Sequence, residues 1–144
     1  MKLVDLNILL YAVNQDAVQH ATVRRWWESA LNGDEPVGLA WVVLLGFLRL
    51  ATNHQVFPKP LTVVQAAAKI DTWLAQPNVR IVRETDEQWR ILRGLLEQTG
   101  TAGNLTTDGH LASMAMAHGA TLVSCDADFA RFDKLRWENP IRAE

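Results

Sequence analysis

The sequence lacks the features of a disulfide-bonded protein, a cysteine-rich zinc protein or a membrane protein. Its single cysteine, Cys125, excludes both an intrachain disulfide and a zinc site built from several thiolates. The longest apolar run, from Ala40 to Leu48, stops at Arg49 and is far shorter than the roughly 20 residues of a membrane span. The N-terminus, MKLVDLN, lacks the long apolar core and cleavage region of a signal peptide. We therefore expect a cytoplasmic protein with no membrane association.

An excess of positive charge is also missing. The net charge is −2, so no broad basic surface is expected of the kind that binds nucleic acid by charge alone. Any contact with nucleic acid would need a local patch, or metal ions that offset the acidic side chains. The sequence contains no Walker loop, no GxGxxG and no GxSxG motif, so the common phosphate-binding loops and the α/β-hydrolase nucleophile are excluded.

Short apolar segments alternate with helical patterns along the chain, which predicts an α/β fold. The predicted strands are Lys2–Asp5, Val37–Leu39, Val79–Val82, Ala120–Ser124 and a possible fifth at Leu135–Trp137. The predicted helices are 7–13, 16–31 with Asp16 as its cap, 41–52, 62–75, 85–97 and 107–118, with a short turn at 128–132. Capping-box patterns, Thr62 with Gln65 and Thr85 with Gln88, open two of them. We expect one domain over residues 1–144, with a central parallel sheet of four to five strands flanked by helices on both faces.

Three aspartates stand where this fold would bring them to one edge. Asp5 closes the first predicted strand, and Asp126 follows the fourth. Asp108 lies in the first turn of a predicted helix, where the helix dipole favours a negative charge. Ligands of open parallel sheets bind beyond the carboxyl ends of the strands, and helices that follow strands begin there. The three carboxylates are therefore expected to converge.

Converging carboxylates predict a metal site. Close carboxylates raise each other's pKa values, and a bound Mg²⁺ or Mn²⁺ removes that penalty through the oxygen ligands that hard cations prefer. A metal held in this way activates water and stabilises charge on a phosphoryl oxygen. Hydrolysis of a phosphodiester bond is the chemistry that such a site favours.

Each aspartate also has a purely structural interpretation. Asp5 is suited to capping the helix that follows it, and Asp108 to complementing the dipole of its helix. Asp126 and Asp128 are suited to turns or caps. Each of these signals is weak in isolation. Their joint placement at one edge is what favours the metal site.

Four segments carry a resemblance to a known family. They are LVDLNILLYA near the start, AWVVLLGFLRLATN in the middle, and TAGNLTTDGHLASMAMAHGATLVSCDADFARF and LRWENP near the end. Together the sequence resembles a PIN-domain ribonuclease of the VapC toxin type, over essentially the whole chain. The ordered set of motifs is fairly specific, whereas any one motif would not be.

The resemblance implies a fold, an activity and partners. It implies a parallel sheet with an acidic pocket that binds Mg²⁺ or Mn²⁺ and cleaves RNA, the activity of a metal-dependent endoribonuclease. Carried over to this sequence, the catalytic and metal-binding residues would be Asp5, Asp108 and Asp126, supported by Asn7, Ser124 and Asp128. It also implies a cognate antitoxin protein that occupies the active-site groove, and self-association into a homodimer.

One position departs from the pattern of the family. Most members carry a glutamate on the helix after the second strand, and the best-fitting position here is Gly46. A glycine there suggests close packing or a place for substrate to approach, and Arg49, one turn later, could hold an acid or a phosphate. An alternative function is therefore a catalytically weak PIN scaffold that binds RNA or an antitoxin. A third is a small phosphohydrolase, which would ordinarily need an acid where Asn7 stands.

Overall fold

The computed structural model of the protein describes residues 1–142 and contains five strands and six α-helices in that range. The strands are β1 (Lys2–Val4), β2 (Val37–Ala40), β3 (Val79–Val82), β4 (Thr121–Val123) and β5 (Trp137–Glu138). The helices are α1 (Leu6–Val13), α2 (His20–Leu31), α3 (Trp41–Ala51), α4 (Val63–Leu74), α5 (Gln88–Thr99) and α6 (Thr106–Ala117). Two 3-10 turns lie at Gly103–Leu105 and Ala127–Arg131. No helix among the described residues is both long and apolar enough to cross a bilayer.

All five strands pair in parallel in one sheet, in the order β3-β2-β1-β4-β5. Lys2 of β1 is in register with Val37 of β2 on one side and with Thr121 of β4 on the other. The chain adds strands in one direction from β1 to β3 and then crosses back to β4. Because crossovers between parallel strands are right-handed, this reversal places α1–α4 and the α5–α6 pair on opposite faces. The predicted α/β fold, with helices on both faces of a parallel sheet, is confirmed.

The buried faces of the sheet and helices form one apolar core. Leu3, Leu39 and Leu122 from three neighbouring strands are completely inaccessible to solvent. On one face of the sheet, Phe47 of α3 packs edge-on against Trp73 of α4, with ring centroids 4.9 Å apart. Trp73 in turn meets Trp27 of α2 at 5.7 Å. This aromatic contact joins three helices and holds α3 against the sheet.

Close packing between α5 and α6 sets the position of the N-terminus of α6. A Cβ atom at Gly109 would lie 3.1 Å from Leu92 Cδ1 and 3.3 Å from Leu96 Cδ2, so the glycine allows the two helices to approach closely. Ser113, one turn further along, is fully buried and donates a hydrogen bond to the Gly109 carbonyl. The first turn of α6, which carries Asp108, is thereby held in place.

Two predicted helix starts are wrong. The second helix begins at His20 rather than at Asp16, because Asn14 organises a turn in which its side chain accepts from the Asp16 amide. At the start of α5, Thr85 accepts from the Glu87 amide and Gln88 donates its side-chain amide to the His110 carbonyl. The predicted Thr85–Gln88 capping box therefore does not form, whereas the Thr62–Gln65 box does.

The ends of the predicted strands also differ from the structure by one or two residues. Asp5 lies just beyond β1 and Ser124 just beyond β4, so both residues belong to the edge of the sheet. The fifth strand is Trp137–Glu138 rather than Leu135–Trp137. The backbone amides of Leu122 and Ser124 donate hydrogen bonds to the carbonyls of Arg136 and Glu138, and these bonds set the position of the strand.

Phe47→Ala should lower the free energy of unfolding by about 3–5 kcal/mol, because it removes a fully buried ring and its contact with Trp73. Val64→Ala is a control on an exposed surface of α4 and should change stability by less than about 0.5 kcal/mol. Urea denaturation of both variants measures the difference. Equal stabilities would contradict the role of Phe47 in the core.

Candidate metal centre

Asp5 is the most deeply buried acid among residues 1–142, with a relative exposure of 7%. It is the N-cap of α1, where one carboxylate oxygen accepts from the Leu6 amide at 2.7 Å. The other oxygen accepts from the Ser124 hydroxyl at 2.7 Å and from the Asn7 side-chain amide at 3.3 Å. Burial raises the pKa of Asp5, and the nearby charge of Asp126 raises it further, while these hydrogen bonds act in the opposite direction. Asp5 therefore caps α1 through one carboxylate oxygen and is hydrogen-bonded to the end of β4 through the other.

Ser124 connects the ends of β1 and β4. Its fully buried hydroxyl donates to Asp5, and it accepts from the Asn7 side chain at 3.1 Å and from the Asp126 amide at 3.0 Å. Asn7 completes the connection, because its side-chain oxygen accepts from the Cys125 amide at 3.2 Å. Asn7 and Ser124, predicted as supporting residues, are thus hydrogen-bonded to the acids or to the backbone beside them.

Three other carboxylates form a tight group above this network. One oxygen from each of Asp108, Asp126 and Asp128 lies within 4.8 Å of the others. Asp108 comes from the first turn of α6, and Asp126 and Asp128 flank the start of the 3-10 turn after β4. Asp126 also accepts from the Asp128 amide at 2.9 Å, which fixes the loop between them. The fold therefore brings together residues that are widely separated in sequence.

Burial and the proximity of like charges dominate the electrostatics of the acid group. Burial, together with the charges of Asp5, Asp126 and Asp128, raises the pKa of Asp108 to about 6. Burial and the charge of Asp5 likewise raise the pKa of the Cys125 thiol to about 11, so the thiol stays protonated and is not a nucleophile at neutral pH. None of the ion pairs among residues 1–142 involves any of these four aspartates.

A cavity of about 410 Å³ opens beside Asp5 and Asp108. Its far wall is α3, which contributes Val42, Leu45 and Arg49. These residues are spaced three and four apart and therefore share one face of the helix. The cavity is also lined by Thr107, which the sequence analysis did not single out although it directly precedes Asp108.

Gly46 is buried against α1 at the border of the face of α3 that lines the cavity, four residues after Val42 and three before Arg49. A Cβ atom there would lie 2.7 Å from Leu6 Cδ2, so the structure supports close packing as the reason for the glycine. A side chain at this position would have to displace Leu6, which itself lines the cavity. Because α3 contains no acidic residue, its wall of the cavity presents no carboxylate to the aspartates.

A comparison with protein-family models matches the PIN domain over residues 2–135. The chain belongs to the PIN-domain family. Its relatives include Ribonuclease VapC37 of Mycobacterium tuberculosis, which is 46% identical over 140 residues and covers 97% of each chain. Ribonuclease VapC33 of the same organism is 42% identical over 138 residues, or 96% of each chain. These similarities confirm that this PIN domain is of the VapC type.

Solved structures show the same PIN fold. VapBC2 from Rickettsia felis, crystallised with a DNA fragment from its promoter, includes a chain that matches with a TM-score of 0.70 and 25% identity. The match covers 96% of this PIN domain and 97% of that chain. VapBC-1 from nontypeable Haemophilus influenzae matches with a TM-score of 0.67 and 17% identity over 98% of each chain, which supports the fold alone.

The carboxylates of this PIN domain fit a small hard cation. Ligand oxygens at about 2.1 Å from Mg²⁺ stand roughly 3 to 4 Å apart. The oxygens of Asp108, Asp126 and Asp128 all lie within 4.8 Å of one another, so small side-chain movements bring them to that spacing. The donor set contains only oxygen, which disfavours softer metals. The resemblance to VapC toxins predicts Asp5 as a metal ligand and Asp128 as a supporting residue. In the structure Asp128 belongs to the tightest group, whereas Asp5 lies deeper and is held by hydrogen bonds.

Removing the charge of Asp108 should change how stability depends on pH. The pKa of Asp108 rises from 3.8 to about 6 on folding, so the folded state is favoured when the group is protonated. That contribution is lost as the pH rises from about 4 to about 6. In the presence of a chelator, Asp108→Asn should therefore gain stability relative to the unmodified protein across this interval and hold the gain at higher pH. Thermal unfolding from pH 4 to pH 8 measures the difference, and a pH-independent difference would contradict it.

Ser124→Ala should weaken metal binding by about 10- to 100-fold, because it removes the hydroxyl that orients Asp5 and Asp126. Ser113→Ala is the matched control, since Ser113 is also fully buried and hydrogen-bonded but lies in the middle of α6. Isothermal titration with Mn²⁺ measures the affinity of both variants. Equal affinities would show that Ser124 has no part in arranging the acids.

Proposed function

We propose that this protein is a metal-dependent endoribonuclease that hydrolyses phosphodiester bonds of RNA, and that it is the toxin component of a VapBC-type toxin–antitoxin system. The observation that carries the proposal is the convergence of four carboxylates, from Asp5, Asp108, Asp126 and Asp128, at the carboxyl ends of β1 and β4. The relatives that are 42–46% identical are named ribonucleases, which supports the same activity here.

The catalytic residues in this proposal are Asp5, Asp108 and Asp126. Asp108 and Asp126 hold the metal, with Asp128 as a further ligand from the exposed side. Asp5, kept in one orientation by Ser124, Asn7 and the Leu6 amide, supplies the inner carboxylate of the site. When bound, the metal supplies Lewis-acid activation of water and charge stabilisation at the phosphoryl group.

Mg²⁺ or Mn²⁺ is the cofactor that this donor set favours. Mg²⁺ is commonly held by one or two carboxylates and keeps several waters, so it does not need a fourth protein ligand from α3. The raised pKa of Asp108 supports the same assignment, because carboxylates this close gain most from a divalent cation.

RNA is the substrate and a cognate antitoxin is the partner in this proposal. The assignment of an antitoxin partner is supported by the VapBC2 structure from Rickettsia felis, in which the matching chain is 25% identical to this PIN domain. An antitoxin that places a basic side chain among unpaired acids would neutralise them, and the cavity beside Asp5 and Asp108 is open to such a side chain. A homodimer, a cytoplasmic location and a single domain over residues 1–144 stay predictions.

The alternative of a catalytically weak binding scaffold is not favoured. It was motivated by Gly46, but the acids assemble without any contribution from α3, and Gly46 packs against Leu6 instead of leaving a gap among them. The third possibility, a small phosphohydrolase, needed an acid at position 7. Asn7 instead holds Asp5 and the Cys125 amide through its side chain.

Cleavage of an RNA pool should require Mg²⁺ or Mn²⁺ and should fall by roughly 100-fold or more in Asp5→Asn and in Asp108→Asn, because each change removes a carboxylate from the site. Asp71→Asn, on the exposed surface of α4, removes the same charge elsewhere and should retain activity. Gel analysis of a total tRNA pool, with and without a chelator, measures cleavage. Cleavage that persists in Asp5→Asn and with the chelator would overturn the proposal.

A further inference from the structure

The cleft beside the acids has two chemically different walls. One wall carries Asp5 and Asp108, and the other is the exposed face of α3 with Val42, Leu45 and Arg49. Arg49 is the single charged residue of α3, and it lies one turn beyond Leu45 on the same face. A negatively charged wall therefore faces an apolar wall that ends in one cation.

Arg49 has no carboxylate partner within the described part of the chain. Among residues 1–142 its guanidinium takes part in none of the ion pairs, and its side chain makes none of the hydrogen bonds. This contrasts with Arg24, Arg90 and Arg93, each of which pairs with a glutamate on its own helix or at its start. The donors of Arg49 are therefore available to an anion that enters the cleft.

We propose that Arg49 is a substrate-binding residue that grips a phosphate group of the RNA strand from the α3 side, opposite the carboxylates. The proposal rests on the ribonuclease function proposed above and names a residue outside the acid group. The guanidinium has a planar fork of donors that matches two phosphate oxygens at once.

The charge balance of the cleft explains why such a cation is needed. The protein carries a net charge of −2 and gathers four aspartates at this edge, so the cleft repels an RNA strand. A fixed positive charge on the facing wall offsets part of that repulsion where the strand must enter. Val42 and Leu45, at 38% and 56% exposure, provide no polar group that competes with an incoming phosphate for Arg49.

A competing role for Arg49 is neutralisation of the aspartates themselves. In that case the guanidinium would compete with the metal, and its removal would tighten metal binding without affecting RNA. In the phosphate-binding role, its removal weakens RNA binding and leaves metal affinity nearly unchanged. The neutralising role therefore predicts a change in metal affinity alone, and the phosphate-binding role predicts a change in RNA affinity alone.

The test compares Arg49→Gln and Arg49→Lys with Arg24→Gln, which removes an arginine of α2 at a distance from the acids in the fold. RNA binding is measured by fluorescence anisotropy of a labelled single-stranded oligoribonucleotide with Mg²⁺, in an Asp108→Asn background that prevents cleavage.

Arg49→Gln should weaken binding about 10- to 100-fold. It should also reduce the slope of log affinity against log salt concentration by about 0.7, the value for one lost contact with a single strand. Arg49→Lys should recover part of the affinity, because it keeps the charge but loses the fork.

Metal affinity is measured in parallel by titration with Mn²⁺ in the absence of RNA. Arg49→Gln that binds RNA as Arg24→Gln does, with an unchanged salt slope, would overturn the proposal. Tighter Mn²⁺ binding in Arg49→Gln with unaltered RNA affinity would instead assign the neutralising role and also overturn it. Absence of any RNA cleavage by the unmodified protein would count against the ribonuclease function, whereas the RNA-binding measurement would still decide the role of Arg49.

Discussion

The site depends on the 2.7 Å hydrogen bond from the Ser124 hydroxyl to the Asp5 carboxylate. This bond joins the residue after β1 to the residue after β4, and the same hydroxyl also accepts from the Asp126 amide. A carboxylate as buried as Asp5 is costly unless it is hydrogen-bonded, so the bond permits the burial and links the two strand ends that the backbone ladder between β1 and β4 brings together. Asp126 is held through the same hydroxyl, whereas the packing of α6 against α5 positions Asp108.

When no metal is bound, the clustered acids lower the free energy of unfolding of the protein. Burial and mutual repulsion raise the pKa values of Asp5 and Asp108, so at neutral pH the folded protein holds charges that the unfolded chain would keep apart in water. A bound divalent cation reverses this balance and couples metal binding to folding. Core contacts remote from the site, such as that between Phe47 and Trp73, supply the stability that the acids do not.

The α3 helix contributes no carboxylate to the site, and it lines the cleft with apolar side chains and one cation. The helix carries Gly46 where a Cβ atom would lie 2.7 Å from the tip of the Leu6 side chain, beside the Asp5 cap. Its exposed face offers Val42, Leu45 and Arg49 to the cleft in place of an acid. The cleft is thus acidic on one side and apolar with a single cation on the other, an asymmetry suited to a ligand that carries phosphate groups.

Local sequence determined most elements of the fold, because hydrophobic periodicity and caps act over a few residues. The alternation of strands and helices, the Thr62 cap and the placement of Asp5, Asp108 and Asp126 at one edge all follow from such patterns. The failed capping box at Thr85 shows the limit, since Gln88 is taken by His110 from a distant helix. Only the tertiary structure decided that Asp128 joins Asp108 and Asp126, that Gly46 meets Leu6, and that Arg49 lines the cleft of the acids without an ion-pair partner in the described part of the chain. Those relations depend on the angles and distances between elements that are far apart in sequence, and strand order and close packing set them.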